Sequence, residues 1–132
     1  MNRYLLDTHT FLWAAKKAEV FKLGKNAIEI LSDMESELYI SSVSIFEIMN
    51  KYRKGQMPEH LTVAENYMEA VNGLGAKELP LDWEQADLAG TMDWEHKDPF
   101  DRMLAAQART EDMIFITCDK IFDNAPGVET LW

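Results

Sequence analysis

Four acidic residues, each close to a short apolar run, form the part of this sequence that suggests chemistry. They are Asp7, Glu47, Asp101 and Asp119. Two ionised carboxylates about 4 Å apart repel each other by roughly 4 kcal/mol at an effective dielectric constant of about 20, so a cluster of four must take up protons or hold a cation. Carboxylate oxygens without thiolate or imidazole partners favour Mg²⁺ or Mn²⁺ over zinc. If the four acids meet, we expect a Mg²⁺ or Mn²⁺ centre that activates a water for attack on a phosphodiester.

Three of these acids have ordinary structural interpretations when each is taken alone. Asp7 and Asp119 suit the cap of a helix or a turn, positions at which aspartate is favoured. Glu47 stands four residues before Lys51 on a predicted helix, a spacing that gives an exposed ion pair worth roughly 0.2–0.5 kcal/mol. Capping, pairing and metal binding therefore stay open for these residues.

The run HKDPFDRMLAAQA, residues 96–108, raises the same choice for the remaining acid. Asp98 suits the N-cap of a helix, and Pro99 suits its first position, where no amide partner is lost. Asp101 falls at the third helical position, like the acid of a capping box. The local pattern explains both aspartates as helix-start residues and does not exclude a second role for Asp101.

Short apolar runs that alternate with stretches of helical periodicity predict an α/β fold. Alternating strands and helices indicate a central, mostly parallel sheet with helices on both faces. The predicted strands are Tyr4–Leu6, Glu37–Ser41, Lys77–Leu81, Met113–Thr117 and Val128–Leu131. The predicted helices are His9–Lys17, Asn26–Ser36, Thr62–Asn72, Asp98–Arg109, one from Ser42 or Ser44 to Lys54, and one that begins after Asp82.

This architecture predicts where the four acids lie. Ligands of open parallel sheets bind beyond the carboxyl ends of the strands. Asp7 follows the first strand directly, and Asp119 follows two residues after the strand MIFIT. Glu47 and Asp101 lie on helices whose first turns are expected near the same edge. We therefore expect all four side chains at one edge of the sheet.

The charge of the chain bears on its partners. Its 132 residues include 23 Asp and Glu against 13 Lys and Arg, a formal net charge of −10. Phosphate contacts need a basic face, so this charge by itself argues against a nucleic-acid partner. A cation in the acidic site removes the conflict, because it neutralises the charge that RNA or DNA would meet. The excess also suits a basic protein partner or simple solvation of the surface.

Composition predicts a single soluble domain over residues 1–132. The sequence is 47% hydrophobic and 27% charged, which excludes a disordered chain. No apolar run approaches the roughly 20 residues that cross a bilayer, and the N-terminus MNRYLLDTHTF does not read as a signal peptide. Cys118, the only cysteine, and three scattered histidines do not supply a zinc site. We expect a cytoplasmic protein with no membrane partner.

Four segments resemble a known family when they are taken in order. LLDTHTFLW at residues 5–13, SSVSIFEI at 41–48, the run at 96–108 and IFITCDKIF at 114–122 resemble the PIN-domain family. More narrowly, they are similar to VapC toxins of bacterial and archaeal toxin–antitoxin pairs, and the closing Leu131-Trp132 suits that subgroup. Each segment alone is a weak signal, whereas four in this order and at these separations are specific.

The resemblance implies a PIN-like three-layer sandwich and a Mg²⁺- or Mn²⁺-dependent endoribonuclease, the toxin of a type II toxin–antitoxin system. It implies an RNA substrate such as tRNA or mRNA, a cognate VapB-like antitoxin and a homodimer. The four acids of the family fall on Asp7, Glu47, Asp101 and Asp119. Asp7 and Asp101 are the first expected metal ligands, and Glu47 and Asp119 are expected to act directly or through water.

Several neighbours have supporting roles to test. The family often has Ser or Thr near its fourth acid, and Thr117 matches. Thr8 either orients Asp7 or caps a helix, whereas Asp98 is assigned mainly to capping. Arg102 either contacts a phosphate or pairs with surface acids, of which we favour the pair. His9 is expected to be packed or exposed, Cys118 to be a buried small residue, and the tryptophans to be core residues: Trp13, Trp83, Trp94 and Trp132.

Three rival functions have weaker support in the sequence. A signalling receiver domain is disfavoured because the first strand ends in one acid instead of an acid pair, and no Lys-Pro follows a late strand. An aspartate-nucleophile phosphatase using Asp7 would need a general acid two residues later, where this chain has His9. A catalytically inactive PIN-like binding domain is disfavoured because all four acids are present.

Overall fold

Residues 2–132, which a computed structural model describes, contain one sheet of five strands, all paired in parallel. The strands are β1 (Arg3–Leu6), β2 (Glu37–Ser41), β3 (Lys77–Leu79), β4 (Ile114–Ile116) and β5 (Thr130–Leu131). The strand order is β3-β2-β1-β4-β5, so β1 lies at the centre. In this register Leu6 of β1 pairs with Ile40 of β2 and Ile116 of β4.

Helices cover both faces of the sheet, which gives three layers. Successive strand residues point to opposite faces. The helices are α1 (Thr8–Ala15), α2 (Lys25–Ser32), α3 (Ser42–Arg53), α4 (Leu61–Glu65), α5 (Tyr67–Gly73), α6 (Trp83–Thr91) and α7 (Pro99–Thr110), with 3-10 turns at Lys17–Lys22, Pro58–His60 and Lys120–Asn124. Leu5 and Phe115 belong to a core with α6 and α7, whereas Leu6 and Ile116 belong to a second core on the other face with α1 to α5. The predicted α/β sandwich is therefore confirmed.

Very short connections at the carboxyl ends of β1 and β2 bring polar side chains to that edge of the sheet. A single residue, Asp7, separates β1 from α1. Ser41 ends β2 and also caps α3, because its hydroxyl accepts a hydrogen bond from the Val43 amide at 2.9 Å. Tight strand-to-helix turns of this kind hold the first turns of α1 and α3 next to each other.

The predicted helix over Thr62–Asn72 is wrong, since the segment forms two short helices. The break is at Asn66, whose φ of −134° and ψ of 42° lie outside the helical region. The Asn66 side-chain amide donates to the Thr62 carbonyl at 3.2 Å, a local bond that competes with helix continuation. The strand β3 is also shorter than predicted and ends at Leu79, because Pro80 has no amide to continue the ladder.

The aromatic residues divide between core and surface. Trp94 is buried, as expected, whereas the core assignment of Trp83 is wrong because its side chain is 94% exposed. Trp13 and Trp132 are half-buried and pack edge to face, with ring centroids 6.0 Å apart. Cys118 is exposed and not buried. Among residues 2–132, no helix has the length and apolarity that a membrane span requires.

Candidate active site

Asp7 lies at the centre of the polar edge of the sheet, between β1 and α1. Its carboxylate is half-buried and caps α1, because one oxygen accepts from the Thr8 amide at 2.8 Å. The other oxygen, Oδ2, accepts from the Thr117 hydroxyl at 2.7 Å. Burial raises the pKa of Asp7, and the hydrogen bonds from Thr117 and Thr8 oppose that rise. Asp7 is therefore both a cap and an anion confined in a low-dielectric environment.

Glu47 joins this site through Thr8. The Thr8 hydroxyl lies 2.8 Å from Glu47 Oε1 and 2.8 Å from the hydroxyl of Ser44. Because a threonine hydroxyl has one hydrogen, it donates to the carboxylate and accepts from the serine. The second Glu47 oxygen pairs with Lys51 at 3.3 Å, so the predicted ion pair is also present. The negative charge of Glu47 adds to the rise in the pKa of Asp7.

Thr117 connects Asp7 to Asp119. Its buried hydroxyl donates to Asp7 and accepts from the Asp119 amide at 3.0 Å. Asp119 is exposed and caps the 3-10 turn Lys120–Asn124, because its carboxylate accepts from the Ile121 amide at 3.1 Å. Two threonines, Thr8 and Thr117, thus tie three of the four predicted acids into one network.

The two aspartates at the start of α7 have different partners. Asp98 is the N-cap, and its Oδ1 accepts from the amides of Phe100 at 2.9 Å and Asp101 at 3.1 Å. The Asp101 side chain turns instead to His96, with Oδ2 2.7 Å from the imidazole Nε2. The assignment of Asp98 to capping is confirmed, and the Asp101 carboxylate has a separate contact.

The electrostatics link Asp101 to the rest of the site. Burial raises the pKa of Asp101 to about 6 from its ordinary value of 3.8, and the charges of Asp98 and Asp7 add to the rise. The contact with His96 acts in the opposite direction. Asp7 therefore acts on the pKa of Asp101, and Glu47 acts on the pKa of Asp7. The charge of each carboxylate in this series thus affects the ionisation of the next one.

The donor set of this site consists of carboxylates whose fit to a divalent cation depends on their present contacts. Within residues 2–132, no three or more His, Cys, Asp or Glu side chains are already arranged around a common metal position. Glu47 and Asp101 instead contact Lys51 and His96. The donors are nevertheless carboxylate oxygens, the ligands that Mg²⁺ and Mn²⁺ prefer. Burial, together with neighbouring negative charges, raises the pKa of Asp7 and Asp101, and a nearby cation favours their ionised forms, so the residues fit the expected ion.

Arg102 has a different environment from the one predicted. Its guanidinium donates to four backbone carbonyls, those of Ala89 at 2.7 Å, Met92 at 2.6 Å, Trp94 at 2.6 Å and His96 at 2.8 Å. The expected pairing with surface acids is therefore wrong. The guanidinium, which has five N–H donors, therefore makes four hydrogen bonds to the end of α6 and to the segment between α6 and α7.

Two contacts of the site were missed from the sequence. Ser44 suits a helix start, and it also stands one helical turn before Glu47 and contacts Thr8. His96 has no other histidine near it in the sequence to suggest a site. Its position at the head of the run at 96–108, five residues before Asp101, was the available signal.

Comparison with known proteins decides the family. A model of the PIN domain matches residues 4–128. The chain belongs to the PIN-domain family. Over 135 residues this PIN domain is 27% identical to the tRNA(fMet)-specific endonuclease VapC of Shigella flexneri, with 98% of the chain and 97% of the relative covered. The predicted resemblance to PIN domains, and more narrowly to VapC proteins, is confirmed.

Solved structures share the fold at lower sequence identity. DNA-bound VapBC from Salmonella typhimurium superimposes with a TM-score of 0.69 at 23% identity, covering 99% of this chain and 98% of that chain. VapBC2 from Rickettsia felis, bound to a DNA fragment from its promoter, superimposes with a TM-score of 0.65 at 16% identity, covering 98% of this chain and 97% of that chain. FitAcB from Neisseria gonorrhoeae superimposes with a TM-score of 0.64 at 17% identity, covering 98% of this chain and 96% of that chain. These likenesses confirm the PIN-like sandwich.

Proposed function

We propose that this PIN domain is a Mg²⁺- or Mn²⁺-dependent endoribonuclease, and that it is the VapC-type toxin of a type II toxin–antitoxin pair. One observation carries the proposal: Thr8 and Thr117 tie Glu47, Asp7 and Asp119 together at the carboxyl edge of the sheet, and the charge of Asp7 adds to the rise in the pKa of Asp101. Burial and neighbouring negative charges disfavour the ionised forms of Asp7 and Asp101, and a divalent cation would favour them. We treat residues 1–132 as one such domain.

Asp7 and Asp101 are the proposed holders of the cation, and Glu47 and Asp119 are proposed to contact it directly or through water. When bound, Mg²⁺ or Mn²⁺ supplies a positive charge next to the scissile phosphate and lowers the pKa of nearby water. Thr8 fixes Glu47 against the first turn of α1, so that its carboxylate stays next to Asp7.

Thr117 contributes in a related way to the proposed chemistry. Its hydroxyl fixes one oxygen of Asp7 and holds the amide of Asp119. Orientation of reacting groups before substrate arrives lowers the entropic part of the barrier. The two threonines therefore act as supports for carboxylates and not as reacting groups.

Substrate and partners follow from the relatives and the charge. The VapC of Shigella flexneri is named as an endonuclease specific for tRNA(fMet), which supports an RNA substrate and makes tRNA the first class to test. A cation at the acidic edge reconciles RNA with a net charge of −10. Fold neighbours are VapBC complexes, which supports a VapB-like antitoxin as partner. The homodimer rests on the family resemblance, and these partners imply action in the cytoplasm.

The proposal is tested with Asp7→Asn and Asp101→Asn, assayed for cleavage of a total tRNA pool in Mg²⁺ or Mn²⁺ and in EDTA. Each variant should lose about 100-fold or more in rate, because loss of a metal holder removes several kcal/mol of transition-state stabilisation. Asp123→Asn is the matched control, since Asp123 is an exposed residue of the 3-10 turn Lys120–Asn124.

Undiminished tRNA cleavage by both Asp7→Asn and Asp101→Asn, or full cleavage activity of the wild type in EDTA, would contradict the proposal. The same preparations should be incubated with acetyl phosphate and with a chromogenic phosphomonoester. Phosphorylation by the first reagent would favour a receiver domain, and turnover of the second would favour a phosphatase. Inert behaviour in every assay together with Mn²⁺ binding would indicate an inactive PIN-like binding domain.

A further inference from the structure

The segment between α6 and α7, residues 92–98, is held in shape by Arg102. The guanidinium makes its four hydrogen bonds, at 2.6 to 2.8 Å, to carbonyls at the end of α6 and along this segment. Hydrogen bonds from a charged donor are stronger than those between neutral groups, so four of them restrict an otherwise irregular stretch of backbone. Arg102 directly follows Asp101 on α7. The segment is therefore fastened to the same helical turn that carries this acid.

His96 is the residue that this arrangement presents to the site. Arg102 holds its carbonyl, and its imidazole packs against buried Trp94 with ring centroids 5.0 Å apart. Trp94 itself packs against buried Phe122 at 5.7 Å. Both the backbone and the ring of His96 are thus anchored to the core. The imidazole Nε2 meets Asp101 Oδ2 at 2.7 Å.

We propose that His96 is a positioning residue for Asp101, which it holds by one carboxylate oxygen so that the other is the one offered to a cation. This inference rests on the proposed function. In the Nε2–H tautomer the imidazole donates to the ionised carboxylate. About three-quarters of each side chain is buried, with exposures of 24% and 25%, so the contact differs from a freely solvated surface pair. Hydrogen-bonded partners of ligating carboxylates commonly set metal affinity.

The test measures the affinity of the purified full chain for Mn²⁺ by electron paramagnetic resonance of the free ion. His96→Phe keeps a ring against Trp94 but has no donor, and it should weaken Mn²⁺ binding by about 10-fold or more. His96→Gln restores an N–H donor of similar reach and should bind within about 3-fold of the wild type. Glu95→Gln changes an exposed neighbour and is the matched control. Melting temperatures of all variants report whether the fold is intact.

A double-mutant cycle separates positioning from a general structural role. In an Asp101→Asn background, His96→Phe should cause little further loss of Mn²⁺ affinity, because the partner that His96 positions is already altered. A merely structural residue would weaken binding equally in both backgrounds. Electron spin-echo spectroscopy of bound Mn²⁺ should show no directly coordinated nitrogen.

The outcomes distinguish this inference from the proposed function. Wild-type binding and RNA cleavage, combined with unchanged Mn²⁺ affinity in folded His96→Phe, would overturn the inference alone. A directly coordinated nitrogen that disappears in His96→Phe would also overturn it, since His96 would then be a ligand. A wild-type chain that neither binds Mn²⁺ nor cleaves RNA would remove the proposed function and the inference together.

Discussion

Asp101 should reduce the stability of the metal-free protein at neutral pH. Its pKa is about 6 in the folded chain, against an ordinary value of 3.8. One pKa unit corresponds to about 1.36 kcal/mol, so the ionised carboxylate lowers the free energy of unfolding by about 3 kcal/mol at pH 8. Asp101→Asn keeps the shape of the side chain and an oxygen that accepts from His96, but it cannot ionise. We therefore expect this substitution to stabilise the metal-free protein.

The pH dependence has a defined sign. Below pH 3.8 Asp101 is protonated in both the folded and the unfolded chain, so it contributes no difference. Between pH 3.8 and about 6 the folded chain binds more protons than the unfolded chain, so stability falls as pH rises. Above about pH 6 the loss is complete and constant. At pH 5 about half of the final loss has developed.

Urea unfolding in EDTA at pH 5 and pH 8 measures this effect. Asp101→Asn should exceed the wild type by about 1.5 kcal/mol at pH 5 and about 3 kcal/mol at pH 8. Asp93→Asn, a change at an exposed residue in the segment before α7, should match the wild type at both. Mn²⁺ at a concentration that saturates the wild type should reverse the order, because the wild type binds the ion more tightly and gains more binding free energy. Equal or lower stability of Asp101→Asn at pH 8 in EDTA would refute the reasoning about this carboxylate.

Two further substitutions test the supports of the site and of the chain end. Thr117→Val removes the hydroxyl that lowers the pKa of Asp7, so we expect that pKa to rise further. Mn²⁺ affinity, measured by titration calorimetry, and the rate of tRNA cleavage should both fall about 10- to 100-fold. Thr117→Ser keeps the hydroxyl and should retain both. A Cβ at Gly24 would lie 2.6 Å from Trp132, so Gly24→Ala should cost about 1–3 kcal/mol in urea unfolding and alter tryptophan fluorescence. Gly73→Ala, where a Cβ meets nothing within 4 Å, is the matched control.

The sheet and its polar edge were predictable because their signals are local. The run Glu37–Ser41 has the β-branched and aromatic residues of a strand and ends in serines that start a helix, and the structure reproduces its bounds. Asp7 follows its strand without an intervening residue. Parallel topology then brings the carboxyl ends of β1, β2 and β4 together, so a rule about strand ends was enough to select candidate acids from 23.

The environment of Arg102 was not predictable from the same signals. Its acceptors are backbone carbonyls of an irregular segment, and side-chain periodicity carries no information about where such carbonyls point. The expectation of an acidic partner used the usual preference of arginine for carboxylates. His96 was missed for a related reason, because its approach to Asp101 depends on the shape that Arg102 imposes. Sequence patterns identified the acids, whereas the contacts that orient them depend on tertiary structure.

The contacts of the acids offset part of the repulsion between their like charges. Glu47 has Lys51 and Thr8 as partners, and Asp101 has His96, so each repulsion is partly offset by a specific hydrogen bond or ion pair. A cation that binds Glu47 must compete with Lys51, whereas His96 contacts one oxygen of Asp101 and leaves the other free. The affinity for a cation then depends on the contact given up at Glu47 and on the contact kept at Asp101, as well as on the number of acids. Because these partners lie on α1, on α3 and in the segment before α7, substitutions that touch no metal can tune the site.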